Sequence, residues 1–126
     1  MLNKETINRL IELNKKDIEM LDFIKSCLDT FEQYHKAVIE DQTFLLIYSG
    51  SSIDSDEYRE RRTVVDRIRT LCHNGLLSSV NKLNILAKNE GLAPVYDGIV
   101  SEDRQYRRKV ADSVFEYIEY IINNRS

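Results

Sequence analysis

Apolar residues recur at spacings of three and four over most of this chain, the period at which side chains of an α-helix share one face. Starting near Asn3 to Glu5, the row Ile7, Leu10, Ile11, Ile18, Leu21, Ile24, Leu28, Phe31 and Val38 predicts one long first helix reaching Asp41 or beyond. Positions 21, 24, 28, 31, 35 and 38 form a heptad seam in which His35 is the single polar member, and Asn14 extends the seam upstream. A polar residue at such a position sets register or oligomeric state, so His35 reads as a seam residue rather than a ligand. A helix of about 38 residues would be about 57 Å long, more than a small domain covers along its length. The excess implies either a kink or a partner helix from a second copy, and a homodimer is expected.

Thr43 to Tyr48, TFLLIY, is the most apolar six-residue run. Periodicity alone allows a helix end or a short strand there; helix is the better reading, because a lone strand would have nothing to pair with.

The pattern is clearest from Ser55 to Asn89. With Ile68 at zero on a helical wheel, Val64, Val65, Leu71, Cys72, Leu76, Leu83, Leu86 and Ala87 fall within about 160 degrees, which predicts a core face. Asp54 with Glu57 three residues later has the form of a capping box, and Gly91 followed by Leu92 has that of a left-handed C-terminal cap. Gly75 lies inside the apolar arc, where its natural use is to let another helix approach closely. Gly91 to Val100, GLAPVYDGIV, is the expected ordered connector, after which Ser101 would cap a third helix with Glu102 and Asp103 in its first turn. Tyr106, Val110, Val114, Tyr117, Ile118 and Ile121 give that helix its core stripe, down to about Asn123.

Four Gly and one Pro among 126 residues leave few helix breakers, and no long alternating run argues for strands. The expected fold is therefore all-α: a single domain over residues 1 to 126, built as a bundle of three main helices with the first very long. Charge adds little, since the net value is −3, with six Lys/Arg against nine Asp/Glu in residues 1 to 41 and twelve of each thereafter. No terminal apolar signal and no run of eighteen apolar residues occurs, so the chain is expected to be cytoplasmic and free of the membrane. Cys27 and Cys72 sit on apolar faces and read as reduced core thiols, while Cys27, His35, Cys72 and His73 lack the paired spacing of a zinc site. Neither a metal nor a cofactor is expected.

The candidate chemistry gathers on the central helix. His73 lies at the border of the apolar arc beside Asp66, Arg69 and Asn84, and these four with Arg104 form a candidate polar cluster. Arg59, Arg61 and Arg62 make one basic group and Arg107, Arg108 and Lys109 another, which would form a single positive patch if their helices packed side by side. Such a patch would suit nucleic acid.

Arg59 to Ala111 resembles a family of small, all-helical bacterial proteins of unknown function, through its basic run, His73-Asn74 and the following leucines, Asn81 and Asn84, Pro94 to Gly98, Asp103-Arg104 and Val110-Ala111. That resemblance implies an all-α fold, no transferable activity, and a neighbourhood of His73, Asn84 and Arg104. Arg67 and His73, separated by five residues, also resemble the Arg and His pair of HEPN domains, helical bundles that include dimeric metal-independent RNases. The resemblance implies His73 as a general base toward a ribose 2′-hydroxyl, with Arg67 or Arg69 stabilising the phosphorane charge. On an undistorted helix Arg69 stands about 40 degrees from His73 and Arg67 about 120 degrees. No phosphate loop, nucleophile elbow or apolar carboxylate pair occurs. The sequence therefore favours a non-enzymatic, dimeric protein-interaction module of the accessory or inhibitory kind found in bacteria and mobile elements. A HEPN-like RNase and nucleic-acid binding through the Arg groups are the alternatives.

Overall fold

A computed structural model describes residues 2–48, 55–96 and 104–124, with the backbone alone for 55 and 104–106. The described chain forms four helices: α1 Lys4–Leu13, α2 Ile18–Tyr48, α3 Ser55–Asn89 and α4 Arg104–Asn123. Helix count is corrected from three to four, because the expected long first helix is two. Asn3 caps α1 by accepting a hydrogen bond from the Thr6 N–H at 3.0 Å. Asn14 ends it, its side-chain amide donating to the Leu10 carbonyl at 2.8 Å, and Asp17 Oδ1 then accepts from the Met20 N–H to start α2. Asn14, Lys15, Lys16 and Asp17 have no apolar side chain to hold the helix against a neighbour, and two of them are better as caps. Asn14 is thus a terminator, not a seam residue.

Helix α2 runs without a break for 31 residues, about 46 Å, and includes Thr43 to Tyr48 as expected. Helix α3 returns antiparallel to it: Tyr34 meets His73, Asp41 meets Arg62, and Phe44 meets Tyr58. Helix α4 is antiparallel to α2, since Phe115 packs on His35 at 5.3 Å and Tyr117 on Phe31 at 5.0 Å between ring centres. His35 is a seam residue, as expected, but toward α4 of its own chain. Helix α1 closes the same end, with Tyr120 donating to Asn8 at 2.7 Å and Asn3 donating its N–H to Val95.

The main core lies at that end. Leu10, Ile24, Phe31, Leu76, Val80, Leu83, Val95, Tyr96, Val110 and Val114 are almost wholly removed from solvent. At the C-terminus of α3, Gly91 has φ 71, its N–H meets the Lys88 carbonyl at 3.1 Å, and the Leu92 N–H meets the Ala87 carbonyl at 2.8 Å. Both bonds of the expected left-handed cap are made. Asp54 and Ser101, the other expected caps, lie outside the described residues, as does the connector beyond Tyr96.

The core face of α3 needs a larger correction. Its C-terminal half packs as expected, but Val64, Ile68 and Leu71 are 58, 43 and 64% exposed. Helix α2 meets α3 along the ridge Tyr58, Arg62, Val65, Arg69, Cys72, Leu76, Ser79 and Leu83, all half-buried or buried and centred about 80 degrees round from Ile68. His73 meets α4 at Arg107, about one turn from the start of that helix, and among the described residues α2 and α3 pair with each other beyond that level, through Arg62 with Asp41 and Tyr58 with Phe44. A two-helix layer hides one stripe of each helix and leaves others in water. Among the described residues, no helix is long and apolar enough to cross a membrane.

Candidate functional site

Two features outside the main core carry functional interest: a polar junction where α2, α3 and α4 meet, and an apolar row on the outer face of α3. At the junction His73 is half-buried, its ring tilted against Tyr34 at 5.5 Å between centres and its Nε2 3.4 Å from the carbonyl oxygen of Arg107. Burial lowers its pKa; the Arg107 carbonyl opposes this, and the Arg107 and Arg69 guanidinium groups add to it. The imidazole is therefore neutral at pH 7, with Nε2–H donating to the carbonyl. Burial raises the neighbouring Tyr34 phenol, which Arg69 opposes and Asp112 and Asp41 reinforce.

Arg69 donates through Nη2 to Asp66 at 2.9 Å, and its Nε is buried without a hydrogen-bond partner among the described residues. Asp66 thus serves Arg69 rather than His73. Asn84 lies three turns further along α3 and holds the backbone of Tyr96, accepting from its N–H at 3.2 Å and donating to its carbonyl at 3.4 Å. The side chain of Arg104 lies outside the described residues. The expected polar cluster divides into an Asp66–Arg69 pair, a His73–Tyr34–Arg107 contact and an Asn84–Tyr96 clamp. Arg67 is exposed and lines a shallow groove with Thr63, Thr70 and Leu71, so it does not converge on His73. Of the two candidate charge stabilisers only Arg69 shares the imidazole's surroundings.

Two of the six basic residues are paired, and the two groups stand apart. Arg61 pairs with Glu57 at 2.9 Å and hydrogen-bonds the Tyr48 hydroxyl, while Arg62 pairs with buried Asp41 across the hairpin. Arg59, Arg107, Arg108 and Lys109 are exposed. Arg107 sits at the level of His73, eleven residues or about 16 Å along α3 from Arg62, so the two groups do not merge. No group of three His, Cys, Asp or Glu among the described residues is arranged to hold a metal ion.

The second feature was not expected as a surface. Val64, Ile68, Leu71 and Gly75 follow one another at spacings of four, three and four, the step of a coiled-coil seam. The three aliphatic residues face solvent, and a Cβ built at Gly75 would have nothing within 4 Å. Gly75 therefore admits no helix of its own chain. Beside the row, Phe44, Ile47, Tyr48, Val64 and Val65 line an open groove of about 860 Å³ at the hairpin tip, where Ile47 is 65% exposed. Sequence reasoning assigned Val64, Val65, Ile68 and Leu71 to the core face of α3. It missed Asp41 and Tyr34, which lie on the row 31, 34, 38, 41, offset from the seam 21, 24, 28, 31, 35, 38.

A family model described as "Protein of unknown function (DUF3232)" matches residues 2–126, and the chain belongs to that family. No curated protein and no solved structure matches it.

Proposed function

We propose that this member of a family without assigned chemistry is a non-enzymatic interaction module that binds protein through the outer face of its α2–α3 hairpin. The observation that carries the reading is the exposed row Val64, Ile68 and Leu71, continuous with the groove beside Ile47. An apolar surface of this kind, rimmed by charged residues, is the form that protein interaction sites take. The junction supports the same reading from the other side. His73 uses its Nε2 on a backbone carbonyl, its ring lies on Tyr34, Arg69 is engaged by Asp66, and Arg67 stands elsewhere.

The experiment is incubation of wild type and His73→Ala with a mixed RNA pool, alongside capture assays with wild type and Leu71→Glu. Under the proposal neither protein cleaves RNA, and Leu71→Glu remains helical but loses captured partners. RNA cleavage that disappears in His73→Ala would replace this reading with the HEPN-like RNase, using Arg69 as the charge stabiliser.

A further inference from the structure

The exposed row on α3 has the properties of a surface made for its own copy. Continued at the same spacing it reads Glu57, Arg61, Val64, Ile68, Leu71, Gly75, Ser78, Lys82 and Ile85. Side chains at Val64, Ile68 and Leu71 are 58, 43 and 64% exposed, and Ser78 and Lys82 are exposed as well, while Ile85 lies beyond the stretch from Glu57 to Lys82 that the pairing uses. A parallel pairing of two such rows would place Glu57 opposite Glu57 and Gly75 opposite Gly75, with like charges facing and an empty layer. An antiparallel pairing about a two-fold axis between Arg69 and Thr70 does the reverse. Ile68 then faces the second copy's Leu71, the Val64 side chain faces the bare backbone at Gly75, Arg61 faces Ser78, and Glu57 faces Lys82. Large meets small and acid meets base in the same register. The Glu57–Arg61 ion pair already lies on that edge, so Lys82 of the second copy would extend it into a three-member network.

We infer that two copies of this chain associate through antiparallel packing of their α3 helices in this register, with Val64 of each seated against Gly75 of the other. The inference rests on the interaction reading above and names its partner as a second copy. The register also accounts for the glycine. In a helix interior Gly is unfavourable relative to Ala, and no neighbour in its own chain requires its lack of a side chain.

The test is the solution mass of the full chain by light scattering at two concentrations, with five variants and far-ultraviolet circular dichroism as the check on folding. Wild type is expected at twice the 14.8 kDa chain mass. Leu71→Glu is expected at the single-chain mass with unchanged helicity. Gly75→Leu is the sharper variant, because it removes a helix-breaking residue and meets open space in the monomer. It should dissociate the dimer while raising the thermal midpoint of the single chain. Glu57→Lys and Lys82→Glu should each weaken association several-fold, and the two together should restore it. A monomeric wild type overturns the inference, and so does a dimer indifferent to Leu71→Glu and Gly75→Leu. A dimer broken by those two variants but with no rescue in the double charge reversal overturns the antiparallel register. None of these outcomes decides the interaction reading, which falls if wild type cleaves RNA through His73 or if Leu71→Glu still captures the same partners.

Discussion

Arg62 on α3 reaches across the hairpin to Asp41 on α2, a residue only 7% exposed on the α3-facing side of its helix, where an apolar side chain would ordinarily sit. Near the pair, the buried residues Ala37 and Phe44 and the aromatic neighbours Tyr48 and Tyr58 supply the rest of the hairpin contact. A charge on a buried interhelical face tolerates only the alignment that supplies its partner. Arg62→Ala should therefore cost about 1–3 kcal/mol, because the buried carboxylate is left without its donor. Replacing both by Leu should be close to neutral or stabilising. Urea unfolding of the two variants measures this, and a neutral Arg62→Ala would show that the pair contributes nothing to stability.

The clamp between Asn84 and Tyr96 holds the connector against α3, and the Leu2 to Tyr96 bridge and the Asn3 to Val95 bond join the N-terminus to it. Asn84→Ala removes two hydrogen bonds to the Tyr96 backbone and is expected to cost about 1–3 kcal/mol. Hydrogen exchange should show the loss first at the amides of Asn3 and Tyr96. Protection unchanged at both would mean that the other contacts hold the connector without Asn84.

His73 predicts an acid dependence of stability. Burial, with Arg107 and Arg69 nearby, holds its folded pKa below that of the unfolded chain, which takes up the proton near ~6.5. The stabilisation from the neutral imidazole is complete above that pH and is lost as pH falls through the folded value. Thermal midpoints measured from about pH 7 to about pH 5 should fall for wild type and fall less steeply for His73→Gln. Parallel slopes would show that another group governs the acid limb.

Tyr117 makes the opposite prediction at high pH. Burial against Phe31, aided by Glu32, Tyr120 and Asp29, pushes its phenol up to about 12. An unfolded tyrosine ionises near ~10, so the unfolded chain loses the proton first and stability falls as pH rises between those values. Tyr117→Phe keeps the ring contact and should flatten that decline in alkaline thermal melts. An unchanged decline would assign it to other groups.

Much of the fold was legible because helices are local objects. The limits of α3 at Ser55 and Asn89, the left-handed cap at Gly91, the helical state of Thr43 to Tyr48 and the stripe Val110, Val114 and Tyr117 all follow from spacing within one segment. The break at Asn14 to Asp17 was hidden by its flanks, since Ile11 and Ile18 are also seven apart and keep the apolar rhythm across the gap. The candidate site was read less well. A wheel ranks the faces of a helix by hydropathy, whereas packing is decided by the neighbour that arrives, and on α3 the centres of the two faces differ by about 50 degrees.

By itself, then, the sequence determined an all-helical chain, the amphipathic stripes and the residues available for polar contacts, because hydrogen bonding, capping and periodicity act over a few positions. Only the tertiary structure decided which stripe each neighbour covers. Helix α2 takes the ridge through Arg62 and Arg69, and α4 meets His73 through Arg107 in its first turns. Val64, Ile68 and Leu71, one edge of the apolar arc read from the sequence, are left in water. That outcome depends on contacts between segments tens of residues apart, whose geometry no local pattern records.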